Sequence, residues 1–306
     1  MSAPVLPEEK ASVSVSPARR RRGAWTERKS PVLSVIMWML ALYFAIPIIW
    51  LVISSTKNNA DLFSTFGLWF GNSIHLLQNI HDVFTSQNGL YARWAFNTVL
   101  YSVVSALGAT MLATMAGYGF AKYRFPFKRV RFSIVLGSIM IPLTALAIPT
   151  YLLFSSAGLT DTIWAVIIPS LVSPFGVYLM QVYTADAIPD QLLEAGRVDG
   201  AGEITIFLRI GLRMLGPGLV TVLLFTLVAT WNNYFLPLIM LSTNTLYPLT
   251  VGLAQEQSAA SAGGSAQALF STVITGSLIA IVPLIIAFLF LQRYWQSGLA
   301  TGGVKE

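Results

Sequence analysis

The chain has 306 residues, of which 55% are hydrophobic and only 10% charged, against about 45–50% and about 25% for an ordinary soluble domain. Such a composition belongs to a membrane protein. It contains no Cys, which excludes disulfide scaffolds, thiolate metal sites and cysteine nucleophiles, and the meaning of its net charge of +6 depends on where the basic residues fall.

Residues 1–30 are rich in Ser, Pro and Arg. They cannot bury a core and are expected to form a disordered tail at an anionic membrane surface rather than an arm for nucleic acid. A helix needs about 20 apolar residues to cross a hydrocarbon core of about 30 Å. Six stretches meet that length, at 32–54, 95–121, 132–156, 162–183, 218–241 and 272–291, and none holds Asp, Glu, Lys or Arg. The first is too long for a signal-peptide core and lacks a small-residue cleavage site after it, so it is expected to stay as an anchor.

Basic residues near span ends are retained in the cytoplasm. With the N-terminus inside, 17 of the 19 Lys and Arg fall on the inner side, leaving only Lys57 and Arg93 outside. Both termini are therefore expected in the cytoplasm, and the segments 55–94 and 242–271 outside as candidate docking surfaces. His75 and His81, in the first of these, have no Cys, Glu or third His at metal-ligand spacing; they read as solvated loop residues, and no metal site is expected.

Prolines 47, 142, 149, 169, 174, 237 and 283 interrupt the spans and require local compensation for the lost backbone bond. In the second span Ser105, Ala109, Ala113 and Gly117 recur every fourth residue, a small-residue stripe that permits close helix contact. Asn97 lies at the outer start of that span, and Trp231, Asn232 and Asn233 near the outer end of the fifth. Polar side-chain groups at membrane depth need partners, so these four residues are candidates either for structural hydrogen bonds or for the lining of a translocation path.

The chain lacks a phosphate-binding G-x-x-x-x-G-K-[ST] loop, an H-E-x-x-H helix and a G-x-S-x-G elbow. Spans without ionisable residues also lack the proton relay of a self-powered pump. Energy for uphill transport would have to arrive from another subunit. The segment 186–216 offers a place for it to enter. Pro189 and Asp190 suit a helix start, Leu192, Leu193 and Ala195 give an apolar face, and Gly200 and Gly202 suit a break. A second segment places Ile204, Phe207, Leu208, Gly211 and Leu215 on one side, with Thr205, Arg209 and Arg213 on another. An interfacial helix would explain the basic half, but Asp186, Asp190, Glu194, Asp199 and Glu203 would be repelled by an anionic leaflet. Two short helices that dock a partner protein explain both halves.

Glu194-Ala195-Gly196, then Gly200, then Ile210 and Leu212 resemble the cytoplasmic E-A-A loop of permease subunits of bacterial ATP-binding-cassette importers. Two positions depart from that pattern: Gly196 replaces the second Ala, and Arg213 stands where Pro is usual. "AGYGFAKYRFPFK", "IPDQLLEAGRVDGA", "WNNYFLPLIML", "YPLTVGL" and "TGGVKE" extend the resemblance over nearly the whole chain after its tail, to carbohydrate-importer permeases of the maltose type and, within that pair, to the six-span partner. The resemblance implies an all-α membrane fold of six transmembrane helices with a cytoplasmic coupling-helix insert, spanning residues 31–306, in a bacterial cell membrane. It implies as partners a second, different permease subunit, two cytoplasmic ATPase subunits and an extracytoplasmic solute-binding protein. By residue match, Glu194 would pair with a basic residue of the ATPase, Ala195 and Gly196 would allow close approach, Gly200 would form the turn with Asp199 beside it, and the tail 302–306 would reach the ATPase dimer.

The expected function is therefore a non-enzymatic subunit that binds no cofactor itself, with ATP and Mg used by the partner ATPase, and that translocates a sugar or oligosaccharide. The alternatives are the same architecture carrying another solute, a self-contained channel or secondary carrier, a membrane enzyme, or a membrane scaffold.

Overall fold

The computed structural model describes residues 30–261 and 269–302. The expected disordered tail, part of "SAASAGGSAQ" and residues 303–306 lie outside the described residues. The chain divides into one compact unit up to Ile46 and a second from Pro47 onward. The described part of the first unit is the start of α1 (Pro31–Ser55), whose large side chains from Val32 to Phe44 are exposed. Water would penalise such a helix along its whole length, whereas hydrocarbon would solvate it. Pro47 lies inside α1 without ending it.

The second unit continues with α2 (Asn59–Ser64) and α3 (Leu76–Thr85), then α4 (Leu90–Lys122), α5 (Lys128–Ile139) and α6 (Ala147–Ser156). After these come α7 (Trp164–Ser170), α8 (Pro174–Ala187), α9 (Asp190–Val198) and α10 (Glu203–Ile206). A π-helical turn (Phe207–Gly211) leads to α11 (Leu212–Met214) and α12 (Gly216–Trp231), followed by α13 (Phe235–Met240), α14 (Leu249–Ser261) and α15 (Leu269–Gly302). Among the described residues, four helical stretches are long and apolar enough to cross a membrane, and the number rises to six when each of two bent pairs is counted as one span.

The bends follow the local chemistry. The stretch expected as one span at 132–156 is α5 and α6, bent by 99°. Pro142 disfavours a helical Ile141 and offers no N–H, so the chain reorganises through a short 3-10 turn at Leu143–Leu146. The stretch expected at 162–183 is α7 and α8. Pro174 starts α8, and the Ser173 hydroxyl accepts from Gly176 N at 3.2 Å as its cap. The stretch expected at 218–241 parts between Trp231 and Phe235, one turn before Pro237, whose ring would meet the carbonyl of Asn233 in a continued helix.

Helix α4 packs most extensively on α8 and α12. Its buried face includes Asn97, Thr98, Tyr101, Ser105, Ala109, Ala113 and Gly117. The small-residue stripe is therefore a helix contact: a Cβ on Gly117 would stand 2.6 Å from that of Met180 on α8, so only glycine admits this approach. Lys57, one of the two basic residues expected on the outer side, is buried and donates to Phe66 O at 3.0 Å. The His75 ring is held between the Asn58 amide at 3.3 Å and the Ser73 hydroxyl at 2.6 Å, while His81 is exposed.

Candidate functional site

The insert is a helical hairpin. Helix α9 ends in a two-bond cap in which Gly200 N donates to Arg197 O at 3.0 Å and Ala201 N to Gly196 O at 3.0 Å. The cap requires a left-handed residue, and Gly200 supplies it with φ of +78°. The chain then re-enters a helix at Glu203 and bends by 80° between Met214 and Gly216.

Two faces of this hairpin differ from the sequence expectation. On α9 the inward residues are Leu193 and Gly196, while Leu192 and Ala195 are exposed. Gly196 points into the hairpin: a Cβ there would lie 3.3 Å from Ile206 Cγ1 and 3.3 Å from Ile210 Cδ1. The two isoleucines fill the room that the usual Ala would take. On the second limb Ile206, Gly211 and Leu215 are buried, whereas Ile204 and Leu208, expected on the apolar side, are exposed. Ile206 and Gly211, five residues apart, share the inner face because the π turn at Phe207–Gly211 adds one residue to the helical count between them. Glu194, Asp199 and Gly200 are all exposed, as are Arg209 and Arg213.

Polar bonds tie the hairpin to the end of α4. Lys122 Nζ donates to Ile188 O and, at 2.8 Å, to Asp190 Oδ1. The Tyr123 hydroxyl donates to Glu203 Oε2 at 2.9 Å, and Arg197 Nε to Glu203 Oε1 at 2.7 Å. Arg197 closes the last turn of α9 and Glu203 opens α10, so each charge also complements the helix dipole at its own end. The bond from Lys122 holds the Asp190 carboxyl below the usual carboxylate range. Arg197 and then Tyr123 do the same for Glu203. Burial and then the bond to Glu203 push the Tyr123 hydroxyl up to about 12.

The four candidates for a translocation path separate. Asn97 is buried, and its Nδ2 donates to Thr245 O at 2.8 Å and Tyr247 O at 3.0 Å. Around it, Trp94 Nε1 donates to Asn244 O at 2.8 Å, Tyr101 OH to Leu246 O at 2.9 Å, and Leu249 N to Thr98 Oγ1 at 2.8 Å. Asn97 is thus one member of a staple between α4 and the segment before α14. Asn233 Oδ1 accepts from Leu236 N, in the first turn of α13, at 3.3 Å. Asn232 is exposed, with Nδ2 on Val228 O of its own helix at 2.9 Å. Trp231 beside it is half-buried. The α6–α7 connection is clipped to the same region by Asp161, whose carboxylate accepts from Ser242 N at 2.8 Å, Thr243 N at 2.9 Å and Thr243 Oγ1 at 2.6 Å. The Thr243 hydroxyl and these amides hold the Asp161 carboxyl at about 2.

A long apolar helix framework with an exposed charged hairpin between two spans suits a transport component that is moved from outside. Residues 109–300 match the family described as the binding-protein-dependent transport system inner membrane component. The chain belongs to this family. It is therefore a permease component, a transport subunit rather than an enzyme, of the inner membrane. The permease is 34% identical over 286 residues to an arabinooligosaccharides transport system permease protein of Halalkalibacterium halodurans, covering 91% of this chain and 99% of that one. It is 29% identical to a lactose transport system permease protein of Rhizobium radiobacter, covering 87% and 93%. Its fold is similar to a chain of a bacterial ABC transporter involved in the import of the acidic polysaccharide alginate, with TM-score 0.75, 23% identity, and 86% and 95% coverage.

Two features of the permease escaped the sequence. The Arg197–Glu203 pair was readable in principle, as opposite charges on either side of Gly200, but Tyr123 lies 80 residues from Glu203 and carries no local signal. The distal staple joins residues about 150 positions apart and is equally silent.

Proposed function

We propose that this permease carries a sugar or oligosaccharide across the membrane, received from a solute-binding protein and moved by ATP hydrolysis in separate subunits. It works beside a second, different permease subunit. The sugar class rests on what the relatives are named for. The driving role of the insert rests on one observation: a hairpin with a sealed inner face presents Glu194, Ala195, Asp199 and Gly200 outward on a limb bonded to a membrane helix. A docked ATPase would grip that outer face and pair with Glu194. Gly196 serves the inner seal and not the contact. Of the path candidates, the exposed Asn232, beside Trp231 at the break before Asn233, is the one free to meet sugar hydroxyls; Asn97 serves the staple. Most Lys and Arg lie on the insert's side of the spans, which is proposed as the cytoplasmic side together with both termini.

Mechanically, closure of the ATPase pair displaces the hairpin, and the spans bonded to it move between inward-facing and outward-facing packings. Coupling of this kind needs a differential affinity of the ATPase for the two packings, about 1–3 kcal/mol per linked site. The test is uptake per ATP hydrolysed in proteoliposomes that hold the copurified complex and its binding protein. Glu194→Ala should lower that ratio while leaving the permease in the membrane, and an unchanged ratio overturns the docking role. Labelled sugars offered singly to the binding protein identify the cargo.

A further inference from the structure

Among the long helical stretches, α4 is set apart. The stretches around α1, α5–α6, α7–α8, α12–α13 and α15 each contain proline, whereas Leu90–Lys122 contains none. It is a continuous helix of 33 residues, about 50 Å at 1.5 Å per residue, with no proline and no π-helical turn along it. One end holds the hairpin through Lys122 and Tyr123. The other holds the backbone of residues 244–249 through Trp94, Asn97, Thr98 and Tyr101. Four consecutive carbonyls, from Asn244 to Tyr247, receive α4 side chains. That density of bonds leaves the segment no freedom to move apart from α4 without exposing several buried polar groups. Between the two ends, the close approach of α4 to α8 at Gly117 keeps the rod seated against its neighbour.

We infer that α4 is a strut that carries displacement of the coupling hairpin to the 244–249 segment at the far end, with Tyr123 and Tyr101 as positioning residues at its two ends. The inference rests on the docking role proposed for the hairpin and adds the route and destination of the movement. Neither tyrosine needs to touch the ATPase or the solute. Each fixes one end of the rod to the element it drives.

The test uses Tyr123→Phe, Tyr101→Phe and the double variant, since each exchange removes one hydroxyl and no ring. Uptake per ATP hydrolysed is measured in the reconstituted complex. Each single variant should lose about five-fold, the factor that corresponds to one hydrogen bond of about 1 kcal/mol. Because the two ends act in series, the double variant should fall well short of the roughly 25-fold product expected for independent sites. No loss in either single variant, or a full product in the double, overturns the strut. Thr98→Val, which removes the acceptor for Leu249 N, replaces Tyr101→Phe if that variant fails to assemble. A second readout avoids the ATPase altogether: spin labels at Ala121 and Asp199 of the purified permease should show a broadened distance distribution in Tyr123→Phe. If Glu194→Ala uncouples the complex and the tyrosine variants do not, the strut fails alone; if Glu194→Ala has no effect, the docking role fails whatever the strut does.

Discussion

The sharpest quantitative expectation concerns Gly200→Ala. Gly200 has φ of +78°, and a Cβ built there meets nothing within 4 Å. The whole penalty is therefore backbone strain, about 1–2 kcal/mol for an L-residue in the left-handed region. Part of it is offset because Ala has less freedom than Gly when the cap opens, so a net cost of about 1 kcal/mol is expected. That equals roughly a five-fold shift in the equilibrium between closed and open caps. Gly200→Asn should cost less, because Asn tolerates this conformation, and Gly200→Val more, because a branched side chain does not. The assay is hydrogen exchange of the amides of residues 200 and 201, which the cap bonds to Arg197 O and Gly196 O protect. Exchange should accelerate in the order Asn, Ala, Val, and uptake per ATP should fall in the same order. Equal exchange in all three variants and the wild type would refute the left-handed cap.

Other perturbations test other joints. A Cβ at Gly252 would overlap the Trp94 ring, so Gly252→Ala should destabilise by about 1–3 kcal/mol through overpacking, read as a lower melting temperature of the purified permease. Asp161 titrates at about 2 in the fold against an ordinary value of 3.8; its contribution is full above about pH 4 and lost as pH falls through about 2. A tenfold change in proton affinity corresponds to about 1.4 kcal/mol, and solvent screening of this accessible carboxylate reduces its contribution to about 1 kcal/mol in total. Asp161→Asn should therefore be less stable than the wild type at pH 7 and converge with it near pH 2, by denaturant titration in detergent. Single cysteines at Thr85 and Arg129 of this Cys-free chain should be labelled from opposite sides of the membrane; labelling from the same side would reverse the proposed topology.

What sequence reveals and hides here follows the range of the forces. Apolar length and missing charge are local, so the spans stand out. Proline effects are local too, and Pro142, Pro174 and Pro237 each accompany a break in the structure. Pro47 and Pro283 do not break their helices, because a rod packed or solvated in apolar surroundings can absorb one missing bond. The hairpin's existence was legible from Gly200 and the switch in charge. Its facing was not, since the π turn at Phe207–Gly211 shifts the register by one residue, and helical spacing assumes no such insertion. Asn97 was ambiguous for a different reason. An amide seeks partners in either role, and only the fold places the carbonyls of Thr245 and Tyr247 beside it.

The departure at Arg213 has a physical resolution. A proline at 213 would end the second limb; here the limb ends at Leu215, with φ of −87° and ψ of 4°, and Pro217 occupies the first turn of α12. At that position proline loses no helical hydrogen bond and merely pre-sets φ. The bend must then be held by packing. Leu215 is fully buried, and Gly218 lies against the Tyr183 ring, where a Cβ would stand 2.7 Å from Cδ1. Pro217→Ala should therefore cost only about 0.4–1 kcal/mol, the entropy of a freer unfolded chain, and should keep the bend. Leu215→Ala should cost about 2–5 kcal/mol as a buried truncation and loosen it. Spin-label distances between Arg209 and Thr221 measure the bend, and melting of the purified permease measures the cost. A bend lost in Pro217→Ala but kept in Leu215→Ala would return the task to proline and leave the exposed Arg213 without this explanation.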